Sequence, residues 1–369
     1  MSRAAPVFAL VTGGGTGGHV YPALAVAEEL TRRGHPPATI RFVGSRRGLE
    51  ATAVPAAGFP IDLLTGRGIQ RNLAPRAILA NIGAVVGIAR AVLAAFRILS
   101  RYRPRVVLGV GGYASFPCIL AARLRRVPAV VHEQNAAPGL ANRVAVRLGA
   151  RPAVSLPNTP LRGAVLTGNP VRAELAAVAR DPQRGPALLA FVGGSLGARK
   201  INDAALDLFD RWRDRGDIAI RHIAGARDLE RCEARLVRLR RPSDAMNYAL
   251  LGYEEDMVDL YTTCAVLVAR AGAVTCAELA ITGTPSILVP LPHAPADHQT
   301  RNAEALARAG AAIVVADADL DGDRLASELG PLLAGADRLD AMGQAAKTLA
   351  EPHAAAAVAD LVLEAAGVA

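Results

Sequence analysis

Short apolar runs alternate with longer helix-like segments along the whole of this chain. The runs are four to six residues long and rich in Val, Ile, Leu and Ala, which is typical of buried parallel strands with helices between them. In the first half the predicted strands are Val7 to Val11, Thr39 to Val43, Val106 to Val110 and Ala129 to His132; in the second half they are Ala187 to Val192, Ile218 to Ile223, Ala265 to Ala269, Ser286 to Val289 and Ala311 to Val315. The pattern therefore predicts an α/β protein.

Helices and breaks divide the pattern into two halves. Helices are predicted near Pro22 to Arg33, Pro75 to Tyr102, Arg172 to Arg180 and, at the end, about Ala354 to Ala366. Because Gly168-Asn169-Pro170 interrupts the alternation, we expect one doubly wound sheet in residues 1–168 and a second in residues 169–352. The Ala-rich helix of residues 353–369 could pack on either domain, including back on the first.

Each half opens with a strand, a glycine loop and a helix. The first loop is Gly13-Gly-Gly-Thr-Gly-Gly18 followed by His19, and the second is Gly193-Gly-Ser-Leu-Gly197. Such loops let backbone N–H groups approach a phosphate at a helix N-terminus, although either loop alone could be a turn without a ligand. The second strand ends in Gly44-Ser-Arg-Arg47, so an NADP enzyme remains an alternative, but a simple dehydrogenase has no need for two loops.

The amino-acid composition excludes several classes of protein. The chain has 369 residues, of which 51% are hydrophobic, enough for two cored domains and unlike a disordered tail, a collagen or a mini-protein. The four cysteines have no CxxC spacing, so we expect buried free thiols in a reducing compartment. The N-terminal apolar run is too short for a signal peptide, and the most apolar stretch, Ala77 to Phe96, is interrupted by Asn81 and Arg90 and does not predict a membrane span.

The charge is unevenly distributed. The formal net charge of +9 divides into +16 for residues 1–170 and −7 for the remainder, and the chain has only seven Phe, six Tyr and one Trp. Strips of basic and aromatic residues that stack bases are therefore missing, and no nucleic-acid partner is expected. The segment Ala77 to Leu99 is interpreted as a core helix for most of its length, or as an apolar face rimmed by arginines that rests on anionic lipid; the arginines are Arg97, Arg101, Arg103 and Arg105.

Three other motifs are weaker evidence of a function. His19 follows the first glycine loop and could act as a general base if a hydroxyl comes within reach, although a lone loop histidine is more often only solvated. His132-Glu-Gln-Asn135 resembles the zinc motif HExxH only superficially, since the second His is missing. Asp317 to Glu328 matches a calcium-loop pattern, but a strand before it favours a strand-to-helix loop capped by aspartates.

Six motifs occur in order along the chain: Gly13-Gly-Gly-Thr-Gly-Gly-His19, Gly109-Val-Gly-Gly-Tyr113, His132-Glu-Gln-Asn135, Gly168-Asn-Pro-Val-Arg172, Gly193-Gly-Ser-Leu-Gly-Ala198 and Ala271-Gly-Ala-Val-Thr-Cys-Ala-Glu278. In this combination the sequence closely resembles the MurG family of peptidoglycan glycosyltransferases. The resemblance implies a GT-B fold with two nucleotide-type domains facing a cleft, inversion at the anomeric carbon, no cofactor and no obligatory metal.

The resemblance also implies a donor site, which falls on Thr16, Gly17, Gly18, Asn135, Arg172, Ser195, Glu254, Ala273, Val274, Thr275, Cys276, Ala277, Glu278 and Gln299. Ser195 and Arg172 suit the diphosphate, Glu278 suits the ribose hydroxyls, and Asn135 and Gln299 suit hydroxyls of the sugar. Backbone groups around Glu254 would bind the uracil, although the family usually has an aliphatic residue there.

The acceptor side is implied to lie in the first domain. His19 is the candidate base for the acceptor hydroxyl and Glu133 the second catalytic candidate, while Gly14, Tyr113, Glu133 and the loop of residues 66–71 shape the acceptor site.

The implied reaction moves N-acetylglucosamine from UDP-N-acetylglucosamine to the C4 hydroxyl of the muramyl sugar of lipid I, giving lipid II. The implied location is peripheral, on the anionic cytoplasmic face of the inner membrane. The alternatives are a GT-B transferase with another lipid acceptor, a UDP-N-acetylglucosamine epimerase and an NADP-dependent oxidoreductase.

Overall fold

The chain divides into two compact units. The structure is a computed structural model and describes residues 6–46, 48–64, 75–182, 185–194 and 197–368. Unit 1 comprises Met1–Arg172 with His353–Ala369, and unit 2 comprises Ala173–Pro352. The chain therefore leaves unit 1 after Arg172 and returns to it for the last helix.

The described part of unit 1 contains a parallel sheet. Its strands are β1 (Ala9–Thr12), β2 (Ile40–Ser45), β3 (Ile61–Leu64), β4 (Val106–Gly109), β5 (Ala129–Glu133), β6 (Arg151–Val154) and β7 (Val165–Leu166), and its helices are α1 (Gly17–Arg32), α2 (Glu50–Ala56), α3 (Pro75–Tyr102), α4 (Ser115–Leu124) and α5 (Leu140–Arg147), with a 3₁₀ turn at Pro37–Thr39. The strand order is β3-β2-β1-β4-β5-β6-β7. This order is that of a doubly wound sheet, so the predicted fold class is confirmed for this unit.

Unit 2 repeats the plan. Its elements are α6 (Ala173–Ala176), β8 (Ala187–Val192), α7 (Arg199–Trp212), β9 (Ile218–Ile223), α8 (Leu229–Leu239), β10 (Asn247–Leu251), α9 (Met257–Thr263), β11 (Cys264–Ala269), α10 (Ala273–Thr282), β12 (Ser286–Leu288), α11 (His298–Arg308), β13 (Ala312–Val314), α12 (Gly322–Leu333) and α13 (Ala336–Lys347), with 3₁₀ turns at Pro295–Asp297 and Asp317–Asp319. Its described strands form a second parallel sheet in the order β10-β9-β8-β11-β12-β13.

Apolar side chains cover both faces of each sheet. In unit 1, Val11 lies in one buried cluster and its neighbour Leu10 in the cluster on the opposite side; in unit 2, Phe191 and Ala190 divide in the same way. Since alternate strand residues point to opposite faces, strands buried on both faces must be apolar throughout. This explains why the strands appear in the sequence as continuous apolar runs.

The sheets place the glycine loops. In each unit the strand order reverses beside the opening strand, where β1 pairs with β4 and β8 pairs with β11. Thr12 pairs with Gly109, so the loops after β1 and β4 begin at the same level of the sheet. Open α/β sheets bind ligands at this reversal, beyond the carboxyl ends of the strands.

The last helix, α14 (Ala354–Ala365), completes the core of unit 1. Val358 and Val362 are fully buried in the cluster that also contains Phe8 and Val11. Arg151 Nη1 lies 2.8 Å from Glu364 Oε2. The helix is therefore an integral part of the first unit's packing.

The segment predicted as a helix over Arg172 to Arg180 is a helix only in α6, so that prediction is wrong in length. The Arg180 guanidinium donates to the carbonyls of Gly283 and Cys264 over 2.9 and 2.6 Å. The Asp181 N–H donates to Thr262 O over 2.8 Å. These bonds to other elements of unit 2 hold the chain in an irregular path that helical spacing alone does not predict.

Helix α3 is half-buried over the residues whose side chains are described. Ala91, Ala95 and Leu99 form a buried stripe, whereas Leu93 is 50% exposed and Arg97 lies in solvent. The interpretation as a buried core helix is therefore wrong for residues 87–99, and the rest of the segment, residues 77–86, lies outside the residues whose side chains are described. Among the described helices, none is long and apolar enough to cross a membrane.

Two smaller predictions are confirmed. All four cysteines are buried and free, and burial raises the pKa of the Cys118 thiol to about 12. The aspartates that match a calcium loop form a capped helix start, because Asp321 Oδ1 accepts from Arg324 N over 2.7 Å. Asp317 instead forms an ion pair with Arg270 over 2.6 Å.

Candidate active site

The first glycine loop packs directly on the loop after β4. Gly14 N donates to Gly111 O over 3.3 Å. Gly112 has a φ of +84°, and a Cβ on it would overlap the carbonyl oxygen of Gly14. Glycine is therefore required where the two backbones meet, and the predicted acceptor residue Gly14 is buried at that contact.

Helix α1 begins as this loop ends. Thr16 is its N-cap residue, and its carbonyl accepts from His19 N over 3.1 Å. Gly17 and Gly18 form the first turn, whose N–H groups point out of the helix end. His19 lies in that turn, as the sequence predicts.

The His19 ring lies over the loop after β4. It is half-buried, and a Cβ on Gly111 would come within 2.8 Å of its Cδ2 and Nε2 atoms. The ring therefore packs against bare backbone at Gly111. Tyr113 lies two residues further along, and its hydroxyl donates to Gly87 O of α3 over 3.4 Å. Burial raises the pKa of Tyr113.

Glu133 organises the loop after β5. Its Oε1 accepts from the N–H and the side-chain amide of Asn135 over 3.1 and 3.2 Å, and its Oε2 accepts from Gly139 N and Asn142 Nδ2, each over 2.9 Å. The residue is 3% exposed. A carboxylate with four internal donors is suited to holding Asn135 in place rather than to transferring a proton.

A buried network that sequence reasoning missed lies behind this loop. His132 Nε2 lies 3.0 Å from Gly168 O, and its Nδ1 lies 3.1 Å from Gln134 Nε2. Gln134 Nε2 also donates to Val110 O over 3.0 Å, which ties β5 to the loop after β4. Burial lowers the pKa of His132 to about 4, so the ring is neutral at pH 7. The apparent zinc-motif histidine is therefore a structural group.

Arg172 is held against α1. Its guanidinium carbon lies 4.9 Å from the centre of the Tyr21 ring, a cation–π distance. Tyr21 follows His19 by two residues on the same helix. The proposed diphosphate ligand and the proposed base are thus positioned by one helix of unit 1.

The glycine loop of unit 2 is also backed by a buried network. Ser195 lies outside the described residues. Gly197 N donates to Gly194 O over 2.9 Å, and a Cβ on Gly197 would overlap Ala224 O. The same carbonyl accepts from Asn202 Nδ2 over 3.0 Å. Asn202 Oδ1 lies 3.0 Å from Nε2 of His222, a ring whose pKa burial lowers to about 4.

Glu278 is the buried acidic group of the predicted donor segment. Residues Ala273 to Glu278 form the first six residues of α10, whose N-terminal N–H groups favour an anion. Glu278 is 6% exposed, and its Oε2 accepts from the Tyr261 hydroxyl over 2.9 Å. Tyr261, which sequence reasoning missed, is one of the largest fully buried side chains in the described chain. Tyr261 is recognised only by its hydrogen bond to the buried Glu278, because nothing in its sequence position distinguishes it.

Two predicted donor residues have structural partners. Gln299 Oε1 accepts from Leu291 N over 2.9 Å, which fixes the loop after β12. Glu254 Oε1 accepts from Asp256 N over 3.0 Å, and its Oε2 lies 3.6 Å from Arg221 Nη1. The Glu254 side chain is thus turned to its own loop, which suits a position where only the main chain contacts a base.

Comparisons with known proteins identify the family to which the chain belongs. The glycosyltransferase family 28 N-terminal domain matches residues 9–153, and the family 28 C-terminal domain matches residues 188–358. A relative from Alkalilimnicola ehrlichii is 42% identical over 96% of this chain and 98% of its own length. The chain belongs to the MurG family.

That relative is a UDP-N-acetylglucosamine–N-acetylmuramyl-(pentapeptide) pyrophosphoryl-undecaprenol N-acetylglucosamine transferase. A relative of the same name from Desulforudis audaxviator is 37% identical over 97% of the chain and 98% of its own length. Among solved structures, MurG of Acinetobacter baumannii superposes with a TM-score of 0.75 at 29% identity, covering 97% of this chain and all of that one. A UDP-N-acetylglucosamine 2-epimerase, at 14% identity and a TM-score of 0.65 over 98% of each chain, shares the fold alone. Because the chain belongs to the MurG family, it is a hexosyltransferase with the GT-B fold.

Proposed function

We propose that this chain transfers N-acetylglucosamine from UDP-N-acetylglucosamine to the C4 hydroxyl of the muramyl sugar of lipid I, giving lipid II. The observation that carries the proposal is the 42% identity, over 96% of this chain, to a transferase of that name, together with glycine loops at the reversal point of both sheets. The epimerase alternative rests on likeness of fold only.

The donor is assigned to residues that present fixed N–H groups and one buried acid. The start of α10 offers backbone N–H donors and Arg172 offers a guanidinium for the diphosphate, and Ser195 remains a predicted ligand that lies outside the described residues. As the bond from the anomeric carbon to the diphosphate oxygen breaks, negative charge develops on the leaving UDP, and such preorganised donors stabilise it. Glu278 accepts hydrogen bonds from the ribose hydroxyls.

The acceptor is assigned to unit 1. His19 takes the proton of the attacking hydroxyl while the new bond to the anomeric carbon forms on the opposite face, which inverts the configuration. Gly14 and Tyr113 border this position, and Glu133 positions Asn135. We thus replace the catalytic assignment of Glu133 with a positioning role, because both of its oxygens already accept internal hydrogen bonds.

Charge supports a peripheral place on an anionic membrane. Two exposed arginines, Arg97 and Arg101, lie in the last turns of α3, and two more, Arg103 and Arg105, directly follow it, in the half of the chain that carries a net charge of +16. Clustered basic groups bind anionic lipid surfaces at low salt. Sedimentation with vesicles of anionic lipid, but not with neutral ones, is the expected result, and equal recovery in both supernatants would contradict it.

Turnover with a lipid I analogue tests the proposed reaction. Release of UDP should require both UDP-N-acetylglucosamine and the analogue. In a thermal-shift assay, UDP-N-acetylglucosamine should raise Tm more than UDP-glucose or NADPH, because selective binding to the native state stabilises it. Consumption of the UDP sugar without any acceptor would instead indicate an epimerase.

A further inference from the structure

The buried carboxylate of Glu50 is hydrogen-bonded to the first glycine loop. Glu50, the first residue of α2, is 2% exposed. Its Oε2 accepts from Gly15 N and its Oε1 from Ser45 N, each over 2.7 Å. One side chain therefore ties the loop after β1 to the end of β2.

The surroundings of Glu50 are built to receive it. A Cβ on Gly14, on Gly44 or on Gly48 would overlap the Glu50 side chain. Three bare backbone segments thus enclose the carboxylate, and none of them could carry a larger residue without displacing it. Among the residues that the structure describes, no Arg or Lys forms an ion pair with Glu50, so backbone N–H groups supply its stabilisation.

This arrangement changes what the glycine loop can bind. In a dinucleotide-binding strand, loop and helix, the loop N–H groups face a phosphate. Here the Gly15 N–H is already bonded to the protein's own carboxylate, and a phosphate at that position would meet a buried negative charge. The loop of unit 1 is therefore unsuited to the NADP alternative.

We propose that Glu50 is a positioning residue for the acceptor side of the site. Gly15 directly precedes Thr16, the N-cap of α1, and His19 lies in the first turn of that helix. By fixing Gly15, Glu50 sets where α1 begins and how the His19 ring faces the attacking hydroxyl. The proposal rests on the proposed function, in which His19 acts on that hydroxyl.

The test is Glu50→Gln, which keeps the size of the side chain. Its amide would turn an N–H donor toward one of the two backbone N–H groups, so one of the two bonds is lost. The matched control is Glu29→Gln, since Glu29 is also a carboxylate of unit 1, 5% exposed, but pairs with Arg32 and Arg33 at the far end of α1. Transfer to a lipid I analogue, the KM for UDP-N-acetylglucosamine and Tm are measured for each.

We expect Glu50→Gln to lower kcat by roughly 10- to 100-fold, in line with a misplaced catalytic group, and to raise the donor KM by a clearly smaller factor, since Thr16, Gly17 and Gly18 of the same loop are predicted donor residues. Glu29→Gln should lower Tm and leave kcat within twofold. Equal kcat for Glu50→Gln and the unaltered protein, or parallel loss of kcat and donor affinity, would overturn the proposal.

Hydrogen–deuterium exchange separates this proposal from the proposed function. Amides from Gly15 to His19 should exchange faster in Glu50→Gln and at the normal rate in Glu29→Gln. If the unaltered protein does not transfer to the analogue, the proposed function fails, and the assignment to the acceptor side fails with it even where exchange is faster. If transfer occurs and exchange is unchanged in Glu50→Gln, the proposed function stands and the positioning role is overturned.

Discussion

The hydrogen bond between Tyr261 and Glu278 should control donor binding. Tyr261→Phe removes the hydroxyl that donates to Glu278 Oε2 over 2.9 Å and leaves the ring in its buried place. The bond exists before the donor arrives, so most of its value, about 1.5–3 kcal/mol for a charged acceptor, is lost as stability. The part that affects binding is the cost of orienting the released carboxylate, about 0.5–1.5 kcal/mol for one side chain.

That cost corresponds to a rise of about 2- to 12-fold in the KM for UDP-N-acetylglucosamine, at roughly 1.4 kcal/mol per factor of ten. Since Glu278 is assigned to the ribose rather than to the reacting atoms, kcat should stay within twofold. The assay is UDP release with a lipid I analogue across a range of donor concentrations. Glu278→Ala should raise the same KM further.

A cycle of variants decides whether the effect passes through Glu278. In the background of Glu278→Ala, Tyr261→Phe should have no further effect on KM, because the group that it orients is gone. Thr282→Val is the matched control: it removes a buried hydroxyl from the same helix that donates to the backbone carbonyl of Glu278 over 2.7 Å. A KM rise of equal size in this control, or in the double variant relative to Glu278→Ala, would refute the reasoning.

Three further predictions concern the base, pH and the last helix. His19→Ala should lower kcat by roughly 100-fold with little change in donor KM, and unchanged turnover would exclude the general-base role. Burial lowers the pKa of His222 from 6.5 to about 4, so the stability that the neutral ring contributes is present above pH 6.5 and is lost as the pH falls toward 4. Urea unfolding followed by the fluorescence of Trp212 should therefore show a free energy of unfolding about 2 kcal/mol lower at pH 5 than at pH 7. The variant His222→Gln should lessen that difference. Leu361→Ala in α14 should destabilise unit 1 by about 2–4 kcal/mol, as measured by circular dichroism, and leave the unfolding transition reported by Trp212 of unit 2 unchanged. Leu329→Ala in α12 should instead shift the Trp212 transition. The reverse pattern would contradict the division into units.

Local pattern predicts the centre of each unit well. The apolar runs of β8 and β9 and the long helix α3 have the predicted bounds, because each is a continuous segment whose residue pattern is evident locally in the sequence. The sequence pattern does not predict the strands β3, β6, β7 and β10. Three of them, β3, β7 and β10, lie at the edges of the sheets, where short or partly polar segments are sufficient, and β6 lies next to the edge and begins with the exposed Arg151 followed by Pro152.

Site residues divide in a similar way. The glycine loops, His19 and the start of α10 are evident because turn chemistry and helix position are local properties of the sequence. Glu50 and Tyr261 are not evident, since each acts through a partner that another element supplies: a backbone N–H of another loop for Glu50 and a carboxylate of the next helix for Tyr261. The one local signal for Glu50 is the pair of nearby glycines, Gly44 and Gly48, which gain meaning only once the side chain is seen between them.

The return of α14 sets the order in which the protein can be completed during synthesis. Unit 2 is continuous in sequence, so all of its core is synthesised before residue 353 is added. Unit 1 begins first but still lacks Val358, Leu361 and Val362, and until they arrive the apolar surface around Phe8 stays open to water. The unit translated first is thus finished last, and premature release of the nascent chain would leave an exposed, aggregation-prone half beside a folded one.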